Sequence, residues 1–374
     1  MNILYGVTGE GLGHATRSEV MIRHLAKKND LMVLASQKAY DYLSERFDFV
    51  QEIDGFSFVI EDNALQKKST VRKILTNSPG SIKRNTRKIY ELIKKEHGFD
   101  PHAVVTDFDS LSHTYSRVAH IPCISVDNIQ MVNRCEHRNI PKRYRNSFRF
   151  AREVVRIKCA YANRFLITSF FFPPIKKSAR EDTRLYMPIL RDEVVRVRPT
   201  VEDHILVYQT SNDFRALIGR LREIPGHRFI VYGYNTDRKM GNVTLKKRDD
   251  RQFLEDLASS RGVLASAGFS LMSEAVSLHK PYMALPIEGQ FEQVMNCIYL
   301  KRLGYGEFYL TEELFRSPRL FQSAVESFTS RVERYQDKLR DFPMCDSSKI
   351  KRDLEEDIHR LAMGKELHLD EMQL

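Results

Sequence analysis

The stretch from Ala265 to Asn296, ASAGFSLMSEAVSLHKPYMALPIEGQFEQVMN, narrows the choice of fold more than any other part of the chain. It reads as a strand end, a glycine turn, a helix, a proline-led strand and then an acidic, amide-rich loop. Such a unit belongs to a parallel sheet and places polar groups on its open carboxyl edge, where α/β proteins bind nucleotides. Gly268 is read as a turn too tight for a Cβ atom, with Phe269 and Ser270 opening the helix behind it. Unpaired backbone N–H groups there, together with the helix dipole, favour a phosphate or diphosphate. Glu274, one turn further on, suits the hydroxyls of a ribose. Gln290, Glu292 and Gln293 offer amides and a carboxylate to sugar hydroxyls. The competing reading is an ordinary strand–helix–strand repeat with incidental polar residues.

Apolar strands alternate with helical stretches through both halves of the 374 residues. Strands are expected at 3–7, 31–35, 103–106, 123–126 and 165–168. They recur at 205–208, 228–232 and 262–265. Helices are expected at 16–28, 111–119, from 146, at 213–221, 252–257, 318–340 and 348–362, with a frayed end. Alternation in two blocks means two Rossmann-like parallel-sheet α/β domains. The boundaries expected are 1–187, 188–345 and a helical tail, 346–374, packing back on the first domain. The passage FFFPPIKK reads as an exposed loop, and the polar stretch 176–199 as the linker.

No apolar run approaches the roughly 20 residues that span a bilayer. MNILYGV reads as a strand running straight into a glycine loop, so no cleaved signal peptide is expected. The five cysteines are scattered, odd in number and without a CxxC pair. That pattern argues against a disulfide framework or a zinc site and fits a reducing cytoplasm. The net charge of +10 is lopsided: residues 1–200 hold 34 Lys and Arg against 22 Asp and Glu. Residues 67–95 carry ten basic residues and one acid, and residues 134–164 ten basic residues and two acids. Solvated helix faces account for such segments as readily as an anionic partner, for which a membrane surface is one candidate.

The first strand ends in GVTGEGLGHATRS, with Gly9, Gly11 and Gly13 before His14. A dinucleotide-binding loop is the obvious competitor, but the spacing is G-x-G-x-G rather than G-x-G-x-x-G. The second strand also ends in Ser36, where a ribose-binding acid would be expected. A histidine at a helix start is favoured as the neutral imidazole that a general base requires.

These two glycine segments resemble those of GT-B glycosyltransferases, and are similar to the peptidoglycan N-acetylglucosaminyltransferase and UDP-glycosyltransferase families. The resemblance implies two Rossmann-like domains facing a central cleft, with donor binding by the second domain and acceptor binding by the first. It implies a donor diphosphate at Gly268, ribose at Glu274, and donor sugar at the loop ending in Glu292 and Gln293, where the families often carry Gln-Gln or Asp-Gln. At Thr210 and Ser211, those families often have a glycine- or serine-rich turn facing the phosphates; an N-cap role suits this segment equally. Backbone near Lys247–Asp250 falls where the families cradle uracil. His14 corresponds to their catalytic base, and Asp107, in VVTDFDS, to the acid that orients it. Asp109 makes a DxD spelling, but the resemblance implies a metal-independent enzyme with no cofactor beyond the nucleotide sugar. Gly11, Gly13, Asp127 and Asn128 fall on the acceptor side, the last two being equally suited to a turn.

The activity this implies is inverting sugar transfer from a nucleotide sugar, UDP-linked by resemblance, to a glycan or lipid-linked acceptor hydroxyl. The expected location is cytoplasmic, at or near the inner membrane face. A non-hydrolysing nucleotide-sugar epimerase shares this fold and remains an alternative. A nucleic-acid-binding protein is disfavoured by the absence of tryptophan and of RRM- or zinc-like motifs, despite a pI near 9.2.

Overall fold

The computed structural model describes residues 1–9, 11–54, 60–61, 64–65, 87–159, 161–209, 214–287 and 289–371. The chain divides into two compact units. One comprises residues 1–59, 67–191 and 346–374; the other comprises 60–66 and 192–345.

The first unit is built on β1 (Asn2–Val7), β2 (Asp30–Ala35) and β3 (Val50–Glu52). A short antiparallel pair follows, β4 (Ile60–Glu61) with β5 (Ala64–Leu65), grouped with the second unit. The first sheet then continues with β6 (Ala103–Asp107), β7 (Cys123–Asp127), β8 (Arg164–Thr168) and β9 (Thr183–Tyr186). Its order is β3-β2-β1-β6-β7-β8-β9, and all pairings are parallel. Both faces are buried. Ile3, Tyr5 and Val7 of β1 enter one core and Leu4 enters the other, which is why the strand reads as an unbroken apolar run.

Helix α1 (Leu12–Leu25) and α2 (Gln37–Ser44) follow β1 and β2, and α3 (Ser110–Val118) follows β6. Then come α4 (Met131–Arg134) and α5 (Arg145–Lys158). The C-terminal helix, Ser348–Glu371, sets Ile350, Leu354 and Ile358 into the same core as β1. Spacing of four places these side chains on one stripe, and burying each contributes about 2 kcal/mol. Asp353 accepts from Tyr186 at 2.6 Å, and Asp357 takes Arg184 at 3.4 Å.

The second unit holds β10 (Ile205–Tyr208), β11 (Phe229–Tyr232), β12 (Arg238–Met240), β13 (Val243–Leu245), β14 (Gly262–Ser266), β15 (Tyr282–Leu285) and β16 (Gly306–Phe308). Their order is β12-β13-β11-β10-β14-β15-β16, parallel except for β12 against β13. Helix α6 (Asp250–Ser259) enters β14, α7 (Phe269–Ser277) links β14 to β15, and α8 (Phe291–Leu303) links β15 to β16. Gly304 closes α8 with φ 75°, the left-handed conformation that glycine adopts at least cost.

Several expectations need correction. The stretch expected as a linker contains β9, whose Thr183 and Tyr186 are buried against β8. Polar composition hid it because β9 is an edge strand with only one neighbour. Phe170 and Phe171 of the supposed exposed loop are buried, and only Phe172 is half exposed. The first helix starts at Leu12, inside the glycine loop, and the last continues to Glu371. The basic segment 67–95 lies largely outside the described residues. No helix among the described residues is long and apolar enough to cross a membrane.

Candidate functional site

Strand order decides where chemistry is concentrated. In the first sheet the chain runs outward from β1 in one direction and resumes on its other side at β6. The turns after β1 and β6 therefore diverge at the carboxyl edge, the switch point at which doubly wound sheets bind ligands. Val7 is in register with Asp107, so the glycine loop and the end of β6 emerge side by side.

His14 and Asp107 meet there. His14 Nδ1 lies 2.8 Å from Asp107 Oδ1. Arg17 joins them: its Nε donates to Asp107 Oδ2 at 2.7 Å, and its Nη2 to Oδ1 at 2.5 Å. Nη2 is also 2.7 Å from His14 Nδ1. Arg17 Nη1 donates to Asn128 Oδ1 at 2.5 Å, and Ser18 Oγ to Asp107 Oδ2 at 2.9 Å. Asp107 is fully buried. Burial pushes its carboxyl up, but the charge of Arg17, then that of His14, holds it at about 2. Among the described residues nothing hydrogen-bonds His14 Nε2, and the side chain is 13% exposed.

The turn after β6 is built by three devices. Phe108 takes a left-handed φ of 56°, uncommon for a bulky residue and frequent at functional turns. Thr106 Oγ1 accepts from Asp109 N at 3.0 Å and donates to Asp109 O. Asp109 caps α3 by accepting from Ser112 N at 2.7 Å. The two acids of the DxD spelling are thus employed separately, Asp107 on Arg17 and His14, Asp109 on the helix. Gly6 allows α3 this close, since a Cβ there would lie 1.9 Å from Ser112 Oγ. Gly9 is equally confined, its Cβ direction ending 2.2 Å from Ser36 O.

Asn128 joins the cluster through Arg17. Asp127 instead turns inward, accepting from Ser125 Oγ at 2.6 Å and Gln130 N at 2.8 Å. Burial pushes its carboxyl up. Gly11 is the extended N-cap of α1, and Gly13 lies in its first turn.

In the second sheet the switch point lies between β10 and β14. Thr210 and Ser211, after β10, lie outside the described residues. Gly268 is the N-cap of α7 with φ −65° and ψ 133°, and a Cβ there would meet nothing within 4 Å. The tight-turn reading of Gly268 is therefore corrected: the backbone there is ordinary, and the glycine leaves open space in front of the helix. Phe269 is buried, Ser270 half-buried and Glu274 buried. Register pairs Ser266 with Leu285, so the starts of α7 and α8 share one edge. Asn296 Nδ2 donates to Ala267 O at 3.0 Å and ties them. Gln293 spends its amide on the loop: Oε1 accepts from Ile287 N at 2.9 Å, and Nε2 donates to Gln290 Oε1 at 2.7 Å. Glu292 is half-buried in the first turn of α8. Asp249 caps α6 through Gln252 N.

Arg17, Ser18 and Asn296 were missed from sequence. No local signal set Arg17 apart, since it sits among Thr16, Ser18 and Glu19 as a solvated helix residue would.

The family model for glycosyl transferase family 1 matches residues 1–332. An uncharacterized glycosyltransferase of Methanosarcina acetivorans is 22% identical over 377 residues, covering 90% of this chain and 93% of its own. The spinosyn rhamnosyltransferase SpnG has a similar structure, with a TM-score of 0.63 at 12% identity, over 95% of this chain and 100% of that one. A UDP-glucosyltransferase from Polygonum tinctorium that glucosylates indoxyl gives a TM-score of 0.65 at 12% identity, over 97% and 98%. With two Rossmann-like sheets of this order and a family match across most of its length, the chain belongs to glycosyl transferase family 1 and is a glycosyltransferase of the GT-B fold.

Proposed function

We propose that the protein transfers a sugar from a UDP-sugar to an acceptor hydroxyl with inversion at the anomeric carbon. The observation that carries this reading is the 2.8 Å contact between His14 Nδ1 and Asp107 Oδ1, made on a histidine whose other nitrogen faces no protein partner among the described residues. With the proton on Nδ1 donated to Asp107, Nε2 takes the proton from the acceptor hydroxyl. The acceptor oxygen attacks the anomeric carbon, the carbon–oxygen bond to the diphosphate breaks, and UDP leaves with the electron pair. Asp107 stabilises the imidazolium so formed.

The amide groups of Gly268, Phe269 and Ser270 at the open start of α7 are assigned to the departing diphosphate, where oriented N–H groups offset developing charge. Thr210 and Ser211 are assigned to the same phosphates. Glu274 is assigned to ribose and Gln290 with Glu292 to the donor sugar, Gln293 holding their loop. Gly11, Gly13 and Asn128 are placed on the acceptor side. The nucleotide sugar is a co-substrate, and no resident cofactor or metal is invoked. A UDP donor is supported by the Polygonum tinctorium enzyme, a UDP-glucosyltransferase of similar fold. The basic first unit supports an anionic or lipid-linked acceptor handled at the cytoplasmic side of a membrane.

Thermal unfolding in the presence of UDP, UDP-glucose and NAD tests the donor class. UDP is expected to raise the Tm, and NAD to leave it unchanged. A shift with NAD alone removes the reading.

A further inference from the structure

The first unit contains a cavity of about 250 Å³ beside α4 and α5, whose lining includes Gln130, Asn133, Arg134, Arg152 and Arg156. Its cations are unevenly matched. Arg134 is paired with Asp182, and Arg156 reaches Glu153, also in the wall, at 2.6 Å. Arg152 has no carboxylate partner among the described residues. Its Nε makes only a long contact of 3.4 Å to Asn133 Oδ1. Lys176 Nζ converges on the same residue, donating to Asn133 O at 2.5 Å. Burial, then the charge of Arg152, pushes the Lys176 ammonium below its ordinary value, and Glu136 opposes this only in part. Arg152 is exposed, its guanidinium over the Phe148 ring, and Lys176 is half-buried, so water solvates both in part; set close together, the two like charges still attract an anion.

One turn of the chain links the cavity wall to the catalytic cluster. Gln130, in its wall, donates its backbone N–H to Asp127, and Asn128 in the same turn accepts from Arg17. Val155 and Cys159, near the end of α5, pack with Phe108 and Ile129 and hold that helix across the turns after β6 and β7.

We propose that this cavity is an anion subsite that holds a phosphate group of the acceptor, with Arg152 as its main ligand and Lys176 beside it. A guanidinium fork matches phosphate oxygens in pairs. Two unmatched positive charges suit a dianionic phosphate, whereas a carboxylate would leave one of them over. Arg145 and Arg149 share the exposed face of α5 with Arg152, at helical spacing, and lead toward the cavity. Only the word acceptor rests on the glycosyl-transfer reading; the subsite itself stands on the first unit alone.

The test is calorimetric titration of inorganic pyrophosphate into the full chain saturated with UDP, which fills any donor diphosphate site. The wild type is expected to bind. Arg152→Gln should weaken binding at least tenfold, and Arg145→Gln, on the same helix face outside the cavity, less than twofold. Thermal unfolding of each variant checks that it folds. Flotation with phosphatidylcholine vesicles, with and without phosphatidic acid, identifies the source of the phosphate. Flotation that needs phosphatidic acid and Arg152 assigns it to a lipid headgroup. Pyrophosphate binding without flotation assigns it to a water-soluble acceptor. Absence of pyrophosphate binding, or equal weakening by both substitutions, overturns the subsite. If UDP itself fails to bind, the donor reading falls, and the same titration without UDP still decides the subsite.

Discussion

Arg17 grips both carboxylate oxygens of Asp107, at 2.7 and 2.5 Å, from the same helix that carries His14 one turn earlier. Asp107 thus has two cation-capable partners delivered by a single element. Its orientation is set before any substrate arrives. Arg17→Met would leave the buried carboxylate with only His14 and the Ser18 hydroxyl as side-chain partners. Removing one partner of a buried ion pair costs about 3–5 kcal/mol. Urea unfolding should show a loss of that order, together with impaired transfer. Unchanged stability would mean that Arg17 is not the counter-charge of Asp107.

Asp107→Asn keeps the shape of the side chain and removes its charge. Transfer should fall by about 100-fold or more, with UDP affinity unchanged. The acid side of the stability profile should change as well. The folded carboxyl, held at about 2 by Arg17 and His14 against burial, lies below its ordinary 3.8. Its stabilising contribution is therefore complete above pH 3.8 and lost as pH falls through 2. Unfolding curves of wild type and Asp107→Asn between pH 5 and pH 2 should converge toward the acid end. Parallel curves would contradict the linkage.

The loop before α8 supplies a donor-side test. Gln293→Ala removes both hydrogen bonds that close residues 287–293, and Glu274→Ala removes the carboxylate assigned to ribose. Both variants should raise the KM for the nucleotide sugar, Glu274→Ala also weakening UDP itself by roughly tenfold, the scale of about 1.4 kcal/mol. UDP binding equal to wild type in Glu274→Ala would remove that assignment.

Lys280 gives a stability test independent of catalysis. It is buried, and its Nζ donates to Thr200 O and, at 2.9 Å, to Ser260 O. Burial pushes its ammonium down to about 8 from 10.5. Between those values the unfolded chain binds the proton more readily, so stability rises with pH across that window. From pH 8 to 9.5 the gain from this group is about 1.5 kcal/mol. Lys280→Met should lack the gain, read as the difference between the two proteins' unfolding free energies at each pH. An identical pH slope in both would contradict it.

Much of this organisation was legible in the sequence because its signals are local. The run of buried residues in β1, the strand–helix–strand unit from Gly262 to Leu285 and the His14 loop each declare themselves within a short window. What escaped depends on partners distant in sequence. β9 is polar on its exposed positions and becomes a strand only because β8 offers it an edge. Arg17 looks like a surface residue until the 90-residue separation from Asp107 is closed by strand register. The part played by Gln293 in closing its own loop was equally hidden, since an amide's partner cannot be read from composition.

The central claim is that His14 removes the acceptor's proton and takes no part in holding the donor. Its most direct test is to measure, on one preparation of His14→Ala, both the rate of transfer from UDP-glucose, or whichever UDP-sugar the wild type uses, and the Kd for UDP. The expected result is a fall in rate of about 100-fold or more with the Kd unchanged within twofold. Full activity in His14→Ala, or a loss explained entirely by weaker UDP binding, would contradict it.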